Sequence, residues 1–177
     1  MDTKNDSINN LVTHTFEPVW NKESKVLILG TIPSPKSREF GFYYSHPQNR
    51  LWKVLAELFS QEVPISIDEK KSLLLANKVA MWDVLQSCKI KNADDNTISE
   101  PIVNDIPRIL QQSDIKAIFT TGRKATELYN KYCMISQDSI QSIYLPSTSP
   151  ANCRINFQNL VEEYRIILNY IHLPNTL

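Results

Sequence analysis

The side chains with chemistry to offer sit in three stretches, residues 30–49, 121–124 and 146–154. The first holds Gly30, Pro33, Pro35, four aromatics (Phe40, Phe42, Tyr43, Tyr44), then His46, Pro47 and Asn49. The second contributes Arg123 and Lys124; the third contributes Ser147, Thr148, Ser149 and Arg154. No metal-ligand cluster, nucleophile elbow, phosphate loop or dinucleotide fingerprint occurs among them. What they do offer is aromatic faces, amides, hydroxyls and cations on a proline-stiffened backbone. That set suits a flat aromatic ligand carried on a phosphate-bearing chain. Stacking on an aromatic ring is worth roughly 1–3 kcal/mol per base. Ser34, Lys36, Ser37, Ser147, Ser149 and Arg154 are placed to hold phosphates, directly or through backbone N–H groups.

Each of these residues has a plainer role open to it. Phe40, Phe42 and Tyr43 serve equally as loop anchors, and His46 beside a proline serves as a turn cap. Arg123 and Lys124 fall in the first turn of a helix, where the dipole disfavours cations; phosphate would account for them, and so would open solvent. Asp94 and Asp95 read as a solvated loop.

The elements that must position these groups follow from hydropathy. An uninterrupted apolar run, Val26 to Leu29, predicts a parallel strand covered on both faces. It should end at Gly30 in a loop that Pro33 and Pro35 keep from being helix or central strand. Residues 11–20 predict an extended strap anchored by Phe16 and Trp20. A helix is expected from Gln48, with Leu51, Trp52, Leu55, Leu58 and Phe59 at helical spacing. A second helix should begin after Ser66, with Glu69 completing a capping box. Further strands are predicted at 79–84, 116–120 and 140–145, a polar loop at 88–101, and a short helix capped by Asn104. Gly122 should open helix 123–132, and a final helix should run 157–171.

Strands alternating with helices predict a three-layer α/β/α sandwich around a four-stranded, mostly parallel sheet. The loops after such strands gather at the carboxyl edge of the sheet, which brings the three stretches together.

At 177 residues one domain, 1–177, is expected, with residues 1–10 as a frayed tail. Formal net charge is zero, so no global field advertises a polyanionic partner, and any such contact must use local cations. The three cysteines, Cys88, Cys133 and Cys153, form no pair motif and are expected as packed thiols. No apolar run approaches the ~18 residues of a membrane span, so a soluble intracellular monomer is expected.

Gly30-Thr31-Ile32-Pro33-Ser34, followed by residues 41–52 (GFYYSHPQNRLW), resembles the first motif of the uracil-DNA glycosylase superfamily. The similarity is strongest to its hypoxanthine-DNA glycosylase branch. Trp82-Asp83-Val84-Leu85-Gln86-Ser87-Cys88, Asn104-Asp105 and Leu145-Pro146-Ser147-Thr148-Ser149-Pro150-Ala151-Asn152 match as well, so the resemblance spans nearly the whole chain. It implies a uracil-DNA glycosylase-like fold and a monofunctional base-excision repair enzyme without metal or cofactor. The substrate it implies is duplex DNA with a deaminated base, hypoxanthine first and uracil as the alternative, extruded into a pocket. A catalytically silent nucleic-acid-binding module of the same fold and a nucleoside-binding protein are the other readings.

The resemblance also assigns residues. Classical relatives carry a water-activating Asp two residues after the motif glycine and mismatch-specific ones an Asn; here that place is Ile32. Leu145 stands where classical members have histidine. Catalysis is thereby referred to Asn49. The base falls to Gly30, Thr31, Ile32, Pro33, Tyr44 and His46, with Tyr44 stacking on it. The DNA falls to Ser34, Lys36, Ser37, Arg123, Lys124, Ser147, Thr148, Ser149 and Arg154. Residues 89–94 depart from the branch, which carries a basic, glycine-containing stretch there, although Asp95 and Ile98 fit.

Overall fold

The computed structural model describes residues 10–134 and 140–172. In chain order its elements are β1 (Asn10–Thr13), β2 (Val26–Gly30), α1 (Pro35–Phe40), α2 (Leu51–Leu58), α3 (Ile67–Ala76), β3 (Val79–Asp83), β4 (Leu85–Lys91), β5 (Asp94–Val103), α4 (Ile106–Gln112), β6 (Ala117–Thr121), α5 (Arg123–Tyr132), β7 (Gln141–Leu145), α6 (Phe157–Tyr164) and α7 (Ile166–Ile171). The expected tail at 1–10 lies outside the described residues except for Asn10.

β2, β3, β6 and β7 form a parallel sheet in the order β3-β2-β6-β7. Every residue of β2, β3 and β6 is buried. Successive side chains on a strand point to opposite faces, so complete burial means that both faces are covered. The three-layer α/β architecture expected from the apolar runs is what the chain adopts. Local signals hold at residue level too: Ser66 Oγ accepts from Glu69 N (3.1 Å) while Glu69 Oε2 accepts from Ser66 N (3.1 Å), closing the capping box on α3.

Several expectations fail, each for a physical reason. Pro33 and Pro35 do not exclude a helix after β2. Pro35 opens α1, where a missing N–H costs nothing, and Ser34 Oγ accepts from Ser37 N (3.2 Å) as its cap. α2 starts at Leu51 rather than Gln48, because residues 46–50 are spent on a turn. Asn104 caps nothing: it is buried, and its Nδ2 donates to Asp83 O (2.9 Å) and Leu85 O (3.1 Å). Asp105 is the cap of α4, accepting from Arg108 N. The final helix divides at Arg165 into α6 and α7, where Arg165 N donates to Glu162 O in a tightened turn. Cys88 is buried and Cys133 half-buried, but Cys153 is exposed rather than packed.

The largest departure is at 88–101. These residues are not a polar loop; they belong to an antiparallel hairpin of β4 and β5, joined by β1 into a second sheet of order β1-β4-β5. Asn92, at φ +56°, makes the tight turn between Lys91 and Asp94, a conformation asparagine tolerates well. Shifts of register along the hairpin bend it. The entry strap is therefore partly strand. β1 pairs with β4, and farther along Val19 exchanges backbone hydrogen bonds with Met81 (3.0 and 2.8 Å). Phe16 and Trp20 pack against the core as expected.

Candidate active site

At the carboxyl edge of the parallel sheet lies a cavity of about 450 Å³. The end of β2, the loop after it and α1 supply Gly30, Thr31, Ile32, Pro33, Ser34, Lys36 and Ser37, and the segment after α1 supplies Tyr44, His46 and Asn49. The loop after β7 supplies Ser147, Thr148 and Ser149. Arg123, Lys124 and Arg154, grouped with these from sequence, do not line the cavity; Arg123 and Arg154 are exposed, and Lys124 pairs with Glu127 (3.1 Å). Lys36 pairs with Glu39 (2.7 Å) on the surface. Ser37 is turned inward, its Oγ accepting from Ser34 Oγ (3.1 Å) and Ser45 N (3.3 Å), so it braces the loop.

The aromatics separate into two groups. Phe42 and Tyr43 are core: Phe42 stacks on Trp52 (5.9 Å, 24°), and Tyr43 donates to Glu17 O (2.9 Å). Phe40 is 52% exposed. Tyr44 alone combines cavity exposure with a fixed ring. Its φ of +50° is rare for a residue with a large side chain and marks stored strain. Thr121 Oγ1 donates to Leu29 O (3.3 Å), so its bond with the Tyr44 hydroxyl (2.9 Å) is donated by the tyrosine. Burial and then the neighbouring Asp83 charge push the Tyr44 phenol well above its usual pKa, keeping it a donor.

Asn49 has its oxygen committed twice. Asn49 Oδ1 accepts from Leu51 N (2.9 Å) and from Thr148 Oγ1 (2.9 Å). A backbone N–H can only donate, so this network fixes which end of the amide is oxygen. The Nδ2 group is left as the donor on a cavity-lining side chain. Asn49 does cap the turn into α2, and the same cap aims its amide. Arg50 braces the loop that carries Ser147, Thr148 and Ser149 and does not itself line the cavity. Its guanidinium donates to Ile155 O (2.7 Å), Asn152 O (2.9 Å), Ser149 O (3.3 Å) and Thr148 O (3.5 Å), tying down the loop after β7. His46 Nδ1 accepts from Gln48 N (3.1 Å), so this ring closes its own turn as well as lining the cavity.

Two carboxylates at the cavity escaped the sequence-based site. Asp83 ends β3 directly beside Gly30 in the parallel register and is 4% exposed. Its Oδ2 is held by His14 Nε2 (2.8 Å). His14 Nδ1 accepts from Phe16 N (3.2 Å), which fixes the tautomer: Nε2 carries the proton and donates to Asp83. Asp83 Oδ1 lies on the cavity side, 2.4 Å from where a Cβ on Gly30 would stand. A carboxylate closing a run of buried residues, VAMWD, is the signal that could have flagged it. Asp95, expected in a solvated loop, is half-buried on the hairpin and lines the cavity as well.

A family model described as the uracil DNA glycosylase superfamily matches residues 17–170. The chain belongs to that superfamily. Two relatives named hypoxanthine DNA glycosylase accompany the match. The one from Methanosarcina acetivorans is 26% identical over 162 residues, 90% of this chain and 100% of its own. The one from Methanosarcina barkeri is 27% identical over 114 residues, 63% of this chain and 72% of its own. The solution NMR structure of a candidate uracil DNA glycosylase from Methanosarcina acetivorans has the same fold, with a TM-score of 0.76 at 24% identity over 93% of this chain and 100% of that one. The DNA glycosylase class expected from sequence stands on these matches. Among the described residues no helix is long and apolar enough to cross a membrane.

The glycosylase cavity depends on glycine at position 30. A Cβ there would meet Asp83 Oδ1 at 2.4 Å and the Tyr44 hydroxyl oxygen at 2.8 Å, and both side chains are fixed by hydrogen bonds of their own. Gly30→Ala is expected to lower single-turnover cleavage about tenfold. It should cost about 1–3 kcal/mol of stability, as overpacking does. Stopped-time cleavage and urea denaturation check the two effects.

Proposed function

We propose that this glycosylase removes hypoxanthine from deaminated DNA as a monofunctional enzyme, acting as a monomer and a single domain on a base extruded from the duplex. The observation that carries the proposal is the Asn49 amide, with its oxygen held by two donors and its Nδ2 left to donate at the cavity. Cleaving the N-glycosidic bond develops positive charge on the sugar and negative charge on the departing base. A pre-aimed donor stabilises that negative charge at no reorganisation cost. Asp83 Oδ1 supplies the complementary acceptor. A deaminated purine carries a ring N–H beside a carbonyl, whereas adenine offers a lone pair at the same nitrogen. A carboxylate accepts from the first and repels the second. Tyr44 offers its ring for stacking. Hypoxanthine pairs weakly with thymine, so its extrusion costs less than that of a normal base. The names of both Methanosarcina relatives agree with this substrate.

Contact with DNA falls to local cations. Arg38 lines the cavity and Lys36 stands at its edge; Arg123 and Arg154 are exposed nearby in the sequence of the rim loops. Arg50 does not join them, because its guanidinium is committed to four backbone carbonyls.

The test is cleavage of matched duplexes containing inosine, uracil or neither, with and without alkali. Strand breaks that require both inosine and alkali are expected, as is DNA affinity that falls with rising salt through counterion release. Cleavage of the uracil duplex alone would move the substrate to uracil. The absence of any alkali-dependent break, or binding indifferent to salt, would overturn the proposal.

A further inference from the structure

The β4–β5 hairpin brings Asp95 to the cavity, and neither base recognition nor leaving-group stabilisation uses it. Alternation along β5 turns Asp94 outward and Asp95 inward. Asp94 is spent on the turn: its Oδ1 accepts from Asn96 N (3.0 Å) and its carbonyl from Thr97 Oγ1 (2.7 Å), which in turn accepts from Lys91 N (2.9 Å). These bonds stiffen the tip and hold Asp95 beside Thr31 on the loop after β2. Burial pushes the Asp95 carboxyl above the ordinary range. Its hydrogen bond with Thr31 and the Lys124 charge oppose that shift, while Asp94 and Asp83 add to it. Cys88 faces it from β4, its thiol pushed up to about 11 by burial and by Asp95 itself, against the charge of Arg38.

Hydrolysis needs a group to place a water and take its proton. The other ionisable groups at the cavity are ill suited. Lys36 and Arg38 are cations, and Tyr43 and Tyr44 are held protonated. Asp83 is buried and holds His14 through Oδ2, and His46 uses Nδ1 on its own turn. Asp95 is the half-buried carboxylate that water can still reach.

We propose that Asp95 is a second catalytic residue, the base that positions and deprotonates the attacking water, with Thr31 as its positioning residue. This rests on the glycosylase function proposed above. In the step, the C1′–N9 bond breaks and its electron pair leaves with the purine. The water oxygen bonds to C1′, and the water proton passes to the Asp95 carboxylate. Protonation of the purine anion by solvent completes the products, free hypoxanthine and an abasic sugar.

Asp95→Asn keeps the shape and the Thr31 contact but removes the base. Single-turnover cleavage of an inosine duplex should fall at least tenfold with DNA affinity unchanged. The wild-type rate should decline as pH falls through the raised Asp95 pKa, and this acid limb should vanish in the variant. Asp95→Glu should recover part of the rate and the limb, and Asp94→Asn should resemble wild type. A carboxyl whose folded pKa is raised costs stability once ionised, so Asp95→Asn should not lower Tm near neutrality. Asp95→Asn cleaving normally with its acid limb intact, or losing rate only in step with a lowered Tm, overturns the assignment alone. Wild type inert on both inosine and uracil duplexes overturns the glycosylase function and this assignment with it.

Discussion

Asn49→Asp should fold, bind inosine-containing DNA and cleave it about a hundredfold more slowly. Both hydrogen bonds that hold Asn49 are accepted by Oδ1, from Leu51 N and from Thr148 Oγ1, and a carboxylate accepts them equally well. Aspartate is also as good a cap as asparagine. The substitution therefore deletes one thing, the Nδ2–H donor, and adds a negative charge where negative charge develops on the leaving base. Loss of one pre-aimed donor of this kind typically costs 10²–10³ in rate, and a hundredfold corresponds to about 2.7 kcal/mol of barrier. Asn49→Ala removes donor and cap together, so about 1 kcal/mol of stability should go with the activity. Single-turnover cleavage, DNA affinity and Tm separate the two contributions. If Asn49→Asp cleaves like wild type, Asn49 acts as a cap or as an acceptor that orients water. If Asn49→Ala is also fully active after its stability loss is allowed for, Asn49 has no catalytic role.

Asp83→Asn should lower kcat/KM on inosine DNA by roughly a hundredfold while leaving the parallel sheet intact. The new amide oxygen can still accept from His14 Nε2, which fixes the amide so that its NH2 replaces Oδ1 on the cavity side. An acceptor becomes a donor, facing a ring N–H that is itself a donor. Hydrogen bonds to charged groups contribute about 1.5–3 kcal/mol, which brackets the expected change. Free hypoxanthine should also inhibit the variant less than wild type, because the lost contact is to the base rather than to the DNA backbone. His14→Gln should give a smaller loss of the same kind, by letting the Asp83 carboxylate turn. Unchanged inhibition by free hypoxanthine in Asp83→Asn would remove Asp83 from base recognition and leave it a structural partner of His14.

What the sequence discloses here is what depends on neighbours in the chain. The β2 run Val26 to Leu29, the Ser66–Glu69 box and the glycine before α5 are local patterns, and they fold as their residues dictate. The β4–β5 hairpin was not legible, because its polar positions make sense only once β1 pairs with β4 and Cys88 and Ile90 are seen to point inward. With the hairpin hidden, Asp95 looked solvated. Asp83 was hidden differently: a carboxylate ending a strand looks like a turn residue until His14 arrives beside it. Nothing local to Arg50 reveals the four backbone carbonyls that receive its guanidinium.

The bonds that arm the cavity are separated along the chain, and that has a consequence for how the protein is made. His14 meets Asp83 across 69 residues, Tyr44 meets Thr121 across 77, and Asn49 meets Thr148 across 99. A chain emerging from the ribosome has His14 and Tyr44 long before their partners, and the Asn49 amide acquires its orientation only when the loop after β7 has been synthesised. A nascent or truncated chain that stops short of Thr148 has no aimed donor. Loop closure over such separations is the slow part of folding, so base-excising activity should be the last property gained in refolding, trailing the recovery of helical signal. In denaturant the order reverses, and activity should vanish before the sheet does. An incomplete copy lacking Thr148 should therefore leave bases in DNA uncut.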